Sequence, residues 1–278
     1  MKIGALEKAD KWACSLWVKA IVAWQNRSQD HNYRKYVARP SIRKALKTIF
    51  LPKFGIYLDF GCGDGSETKF LKTYIKQKNS IGIFYGFDRQ RKLVQLARDS
   101  QENSGGIKMI FSAGSSEELV KKFKLKEKVD LIFSTFLLQD LPDINKHIEL
   151  IDFCLKKGGG GIFLLVHPDF GEAMRKKNVL HLNPKIRSQI WDWAAEYPIV
   201  EESGMTFYVP YFQRSLKYYE TIFKKYFSIV NHFALSPSAA AIKEGETRRL
   251  SPFFPHAGNV YYPEIIYQPS SLIFKIVK

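Results

Sequence analysis

The stretch Ile56 to Thr68, IYLDFGCGDGSET, sets glycines at 61, 63 and 65 directly behind a short apolar run that contains Asp59. Glycines at such spacing allow a tight turn and let a ligand approach the backbone, as nucleotide sites do between a strand and a helix. Dinucleotide dehydrogenases use G-x-G-x-x-G; here the order is G-x-G-x-G and position 66 is Ser. Asp59, two positions before the first glycine, suits a cationic ligand group and would repel a pyrophosphate. Cys62 has no base near it in sequence, so it reads as a small loop residue and not as a nucleophile. Asp64 and Glu67 favour the N-terminus of a following helix.

Such a loop needs a strand before it and a helix after it, and the chain supplies a repeating set of both. IYLDF, IFYGFD, IKMIFSAG, VDLIFSTF and GGIFLLVHP read as five strands. Helical spacing separates them at Thr68 to Lys76, Arg91 to Asp99, Glu117 to Phe123 and Ile144 to Leu155. Strands alternating with helices indicate βαβ units and a parallel sheet. The expected fold is α/β: a doubly wound, seven-stranded, mostly parallel, Rossmann-like sheet, its later strands drawn from FSIVNHFAL and SLIFKIVK around a helix at Leu216 to Tyr226. Residues 1–53 form a helical N-terminal cap, with one helix from about Ala5 to Trp24 and another from Ser41 to Ile49. Residues 54–278 form the main domain, carrying insertions at about 169–213 and 236–269. The second insertion is a long loop of the kind that serves as a lid or binding segment.

These segments together resemble a known family, the class I S-adenosylmethionine-dependent methyltransferases, in particular its small-molecule branch. The first motif of that family, acid-x-G-x-G-x-G, is matched by Asp59, Gly61, Gly63 and Gly65. YGFDRQRKLVQLAR resembles the second motif, with Asp88 at the end of the second strand, placed to accept from both ribose hydroxyls. SAGSSEEL resembles the third, with Ser115 where the family commonly has an Asp that reaches the adenine amine. VDLIFSTFLLQDLPD and LKKGGGGIFLLVHPD resemble the fourth motif and the loop and strand after it. The resemblance implies S-adenosylmethionine as cofactor and S-adenosylhomocysteine as product. It implies a cofactor site at Tyr33, Asp59, Gly61, Cys62, Gly63, Gly65, Asp88, Arg89, Leu93, Ser115, Ser116, Glu117, Ser134, Thr135 and Gln139. Acids and glycine amides suit a ligand that carries an ammonium, a sulfonium and an uncharged adenosine.

The acceptor is expected beyond the C-terminal ends of the fourth and fifth strands. Methyl transfer is an in-line displacement, so positioning and water exclusion carry much of the acceleration, and a base is needed only where the nucleophile must lose a proton. His167, at the end of the fifth strand, is the candidate base. YVPYFQRSL resembles a V-P-Y-Y-H-R-P-L segment of small-molecule methyltransferases, with Gln213 at the His place and Ser215 at the Pro place. Tyr208, Tyr211, Gln213 and Arg214 are candidates for the pocket wall, together with Tyr36, Gln139, Phe254 and Tyr262. The aromatic residues Phe253, Phe254, Tyr261 and Tyr262 suit a hydrophobic or aromatic acceptor. There is no N/D-P-P-Y/F motif and no Pro-Cys pair, which argues against adenine-amine methylation and covalent pyrimidine chemistry.

Composition adds bounds. A formal charge of +16 among 278 residues includes eleven Lys or Arg against three Asp or Glu in the first fifty. That field could attract RNA, an anionic small molecule or an acidic surface. Three cysteines without C-x-x-C spacing support neither a disulfide framework nor a metal site. No apolar run reaches membrane-span length, and the expectation is a cytoplasmic monomer or homodimer acting on a hydrophobic, aromatic or anionic small molecule. An RNA methyltransferase and a non-catalytic binding module with this fold are the alternatives.

Overall fold

The computed structural model describes residues 3–27, 34–101, 106–200, 206–235 and 269–278. Tyr33, Phe253, Phe254, Tyr261 and Tyr262 lie outside the described residues, and of Tyr36 only the backbone is described. Helix α1 (Ile3–Arg27) is followed by a π-helical turn (Arg34–Ala38) and α2 (Arg39–Leu46). The alternating core then runs β1 (Phe54–Phe60), α3 (Ser66–Gln77), β2 (Ile81–Asp88), α4 (Arg91–Asp99), β3 (Ile107–Ala113) and α5 (Ser116–Lys122). It continues with β4 (Val129–Thr135), a 3-10 turn (Leu138–Asp140), α6 (Ile144–Cys154) and β5 (Leu155–Val166). Beyond it come α7 (Pro168–Lys176), β6 (His181–Leu182), β7 (Trp193–Val200), β8 (Thr206–Gln213), α8 (Leu216–Tyr226), β9 (Ile229–Leu235) and β10 (Ser271–Val277).

Seven strands form one sheet in the order β3-β2-β1-β4-β5-β10-β9, all parallel except β10, which pairs antiparallel with both β5 and β9. Side chains alternate across it. Tyr57, Phe84 and Phe133 enter one core with Leu71 and Val94, whereas Leu58, Phe87 and Ile132 enter the other with Ile148 and Phe223. Helices therefore cover both faces, which is why the strands are apolar along nearly their whole length. Reversal of strand order between β1 and β4 opens a crevice at the C-terminal ends of those two strands.

The 169–213 segment is more regular than expected. Pro168 stands in the first turn of α7, where a missing N–H costs nothing. His167 caps that helix by accepting from Asp169 N at 3.2 Å. Strands β6, β7 and β8 form a second, antiparallel sheet. Helix α1 lies on it through Ala9, Ala13, Trp191, Ala194 and Phe212, with Trp12 edge-on to Phe212 at 5.6 Å. Strand β5 also starts earlier than the sequence suggests, directly after α6, so its glycines belong to the sheet. Among the described residues no helix is long and apolar enough to cross a membrane.

Candidate active site

The turn between β1 and α3 is held by its own backbone. Gly61 N and Cys62 N both donate to Phe87 O, at 2.8 and 3.1 Å, and Gly65 N donates to Cys62 O at 2.9 Å. Gly65 has a left-handed backbone, with φ at 77°. A Cβ there would sit 2.9 Å from the Phe111 ring and 3.0 Å from Ala97. Only glycine fits this position without displacing a neighbour. The loop is thereby pressed onto α4 and β3, and Gly61 and Gly63 line the crevice.

Two acids flank it. Asp59, buried at the end of β1, accepts from Thr68 Oγ1 at 2.6 Å, and its other oxygen, Oδ1, has no hydrogen-bond partner. Burial, reinforced by the nearby Glu67 and Asp88, pushes its carboxyl up to about 7. Asp88, at the end of β2, accepts from Gly63 N at 3.0 Å and Gln90 N at 2.8 Å, which fixes both oxygens at the mouth of the loop. Burial raises this carboxyl as well, against the pull of those two amides. Glu67, in the first turn of α3, holds Arg34 at 3.3 Å and Arg39 at 3.1 Å, so the cap preceding α2 is pinned beside the glycine loop.

A cleft opens above this loop. Of the sequence-predicted residues, Gly61, Gly63, Asp88, Arg89, Leu93, Ser116 and Thr135 line it. Asp59, Gly65 and Ser134 stand behind its wall, and Cys62 is buried with its thiol driven up by desolvation and three neighbouring acids. Ser115 is the N-cap of α5 in a reciprocal capping box with Glu118. The two bonds of that box measure 3.2 and 3.3 Å, and Glu117 is exposed on the same helix. Ser115 therefore serves the helix, and Ser116 is the serine on the cleft wall. Gln139 is buried, donating to Phe136 O at 2.6 Å, with its Oε1 unpartnered.

The other acceptor candidates lie apart from that lining. His167 caps α7, with burial holding its imidazole below the usual range. Tyr208 packs on His181 at 4.8 Å. Tyr211 Oη donates to Gln213 Oε1 at 2.8 Å, and Gln213 Nε2 donates to Pro168 O at 3.0 Å, tying β8 to α7. Arg214 is fully buried and donates to the carbonyls of Leu138, Leu141, Pro142 and Phe212 at 3.3, 2.5, 3.1 and 3.4 Å. It is thus a clamp on the loop after β4.

Sequence reasoning missed the part of the wall that α1 supplies. Asp10, Ala13, Cys14 and Trp17, spaced along one side of α1, complete the cleft. Asp10 forms a two-pronged ion pair with Arg89, at 2.7 and 3.0 Å. The loop after β4 adds Phe136, Leu137, Asp140, Leu141 and Pro142, and α6 adds His147. The i, i+4, i+7 spacing of Asp10, Cys14 and Trp17 was the available signal, overshadowed by the broad apolar face of the helix, to which Ala13 and Trp17 also belong.

These residues fit S-adenosylmethionine: an acid-flanked glycine cradle, an unpartnered carboxylate oxygen at Asp59, and fixed carboxylate oxygens at Asp88. Comparison with known proteins agrees. The family model described as "Methyltransferase domain" matches residues 54–204, more than half of the chain. The ubiquinone/menaquinone biosynthesis C-methyltransferase UbiE of Wigglesworthia glossinidia brevipalpis is 29% identical over 119 residues, 43% of this chain and 46% of that protein. The chain thus spans about half the length of this curated relative. An S-adenosylmethionine-dependent methyltransferase from Mesorhizobium loti shares the fold with a TM-score of 0.52 at 16% identity, over 87% of this chain and 98% of that one. A chain from the complex between the Haloferax volcanii Trm112 methyltransferase activator and a methyltransferase gives 0.57 at 15% identity, over 92% and 96%. Fold, glycine loop and family match converge: the chain belongs to the class I S-adenosylmethionine-dependent methyltransferases.

Proposed function

We propose that the protein transfers a methyl group from S-adenosylmethionine to a small organic acceptor. The observation that carries this is the enclosure of the cleft by α1. Trp17, Phe136, Leu137, Leu141 and Pro142 give the space next to the glycine loop an apolar wall, which suits a small organic acceptor. When bound, the cofactor supplies an electrophilic methyl group on a sulfonium. Gly61 and Gly63 would hold its methionine end, with Asp59 behind them as the counter-charge for the ammonium, and Asp88 would accept from the ribose hydroxyls. Leu93 and Ser116 would flank the adenine, and Thr135 would stand on the acceptor side. The protein's own contribution is to orient the acceptor and exclude water, because sulfonium transfer has a good leaving group.

The test is calorimetric titration with S-adenosylmethionine and S-adenosylhomocysteine at low and moderate salt. One-site binding of both is expected. Failure of the wild-type protein to bind either would overturn the reading and leave a non-catalytic module as the better description. Competition of mixed RNA for the methyl-acceptor site would instead favour an RNA substrate.

A further inference from the structure

One acid on the cleft wall belongs to neither the glycine loop nor the ribose position. Asp140 ends the 3-10 turn after β4, the edge beyond which the acceptor is expected. The residue is buried and lines the cleft, and the side chains of Gln139 and Trp17 pull its carboxyl down against the larger effect of burial. The charged groups on the described wall are Asp10, Asp88, Asp140 and a single cation, Arg89, which is already paired with Asp10. His147, the remaining titratable group there besides Cys14, is held neutral because burial lowers it to about 4, and its Nε2 has no partner.

The wall therefore carries a surplus of acid. An anionic acceptor would meet like charge without a counter-ion, whereas an ammonium beside Asp140 would favour the carboxylate form that burial alone disfavours. An ammonium brings its own counter-charge, and the neighbouring Trp17 ring favours a cation further. We propose that the acceptor is an amine, and that Asp140 is the catalytic residue that receives its ammonium form and removes a proton from nitrogen. The inference rests on the methyltransferase reading above.

An ammonium has no free electron pair and cannot attack, so the Asp140 carboxylate takes one proton. The freed nitrogen pair forms the new N–C bond while the S–C bond breaks with its electrons left on the departing thioether sulfur. The product is a methylated ammonium, and the Asp140 proton passes to solvent. Desolvation, opposed by the Gln139 and Trp17 bonds, holds the Asp140 carboxyl well above its ordinary value, which strengthens it as a base. The groups around it are Tyr211 and Tyr219, both raised by burial, and the Arg214 guanidinium behind the loop. An acidic limb of turnover at saturating cofactor is therefore assigned to Asp140.

The experiment uses the whole chain with phenethylamine and tryptamine, their matched alcohols and their matched carboxylates, followed by transfer of labelled methyl from S-adenosylmethionine. Asp140→Asn and Asp140→Ser are read side by side, each first checked for S-adenosylhomocysteine binding. Expected are transfer to the amines alone, cofactor affinity within threefold of wild type in at least one variant, and an amine rate at least a hundredfold lower with the acidic limb removed. Calorimetry of the amines against the S-adenosylhomocysteine-loaded protein should show at least tenfold weaker binding in that variant. Transfer to alcohols or carboxylates in preference, no transfer to either amine, or variant rates within threefold of wild type overturns the proposal. Loss of cofactor binding by the wild-type protein overturns the methyltransferase reading instead.

Discussion

At the scale of the residue, Asp59 is the most constrained group in the site. Its carboxyl is buried beside two other acids and keeps one oxygen unpartnered, so desolvation holds it at about 7. The raised value means that the folded, unliganded protein binds this proton more tightly than the unfolded chain. Its contribution to stability is fully present below about pH 4 and is lost as pH rises through about 7. A cationic ligand group beside it reverses the preference, because it favours the carboxylate. Affinity for S-adenosylhomocysteine is therefore expected to tighten between about pH 6 and 8, with release of up to one proton on binding. In Asp59→Asn that pH dependence should disappear, and titration in buffers of different ionisation enthalpy checks both statements. The acid-x-G-x-G-x-G spacing made Asp59 visible in the sequence. Its buried environment was not visible, since that depends on Glu67 and Asp88 arriving from two other elements.

At the scale of the element, the parallel core was legible because each of its strands is a short apolar run bounded by a helix of clear period. The β7–β8 hairpin was not, because Pro198 and Pro210 interrupt it and proline argues against a strand interior. Both are tolerated for a geometric reason. Strand β6 pairs only with Ala195 and Glu196, leaving Pro198 unpaired on that side, and Pro210 lies on the outer strand β8. The role of α1 was hidden in the same way, since its cleft-facing side matters only once β2 brings Arg89 opposite Asp10. That ion pair is half-exposed, so a double-mutant cycle of Asp10→Asn and Arg89→Gln should give a coupling in stability below about 1 kcal/mol. Cofactor release should nevertheless quicken in both single variants, measured by stopped-flow displacement. Arg214 is the opposite case. Removing a buried guanidinium leaves several loop carbonyls unpaired at about 1–3 kcal/mol each. Arg214→Met should accordingly lower denaturant stability by about 3 kcal/mol or more. Turnover should fall further than cofactor affinity, because the clamp fixes the loop after β4.

At the scale of the whole molecule, a charge of +16 coexists with a reaction cleft whose wall is acidic. The two belong to different surfaces and should separate experimentally. Any association with mixed single-stranded RNA that comes from the basic exterior should weaken at least about tenfold between about 50 and 200 mM salt. Cofactor affinity should change by less than about twofold over the same range, because buried charges are screened far less. Filter binding and calorimetry at matched salt check the pair. The order of strands has a further consequence. β10 lies between β5 and β9, so the open edge of β5 waits for a partner that comes much later in the chain. The ribosome delivers it about a hundred residues on, roughly 5–20 s at ordinary elongation rates. During that interval the nascent chain presents an unpaired, apolar strand edge, an aggregation hazard that chaperones would have to manage and that slow codons between β5 and β10 would prolong.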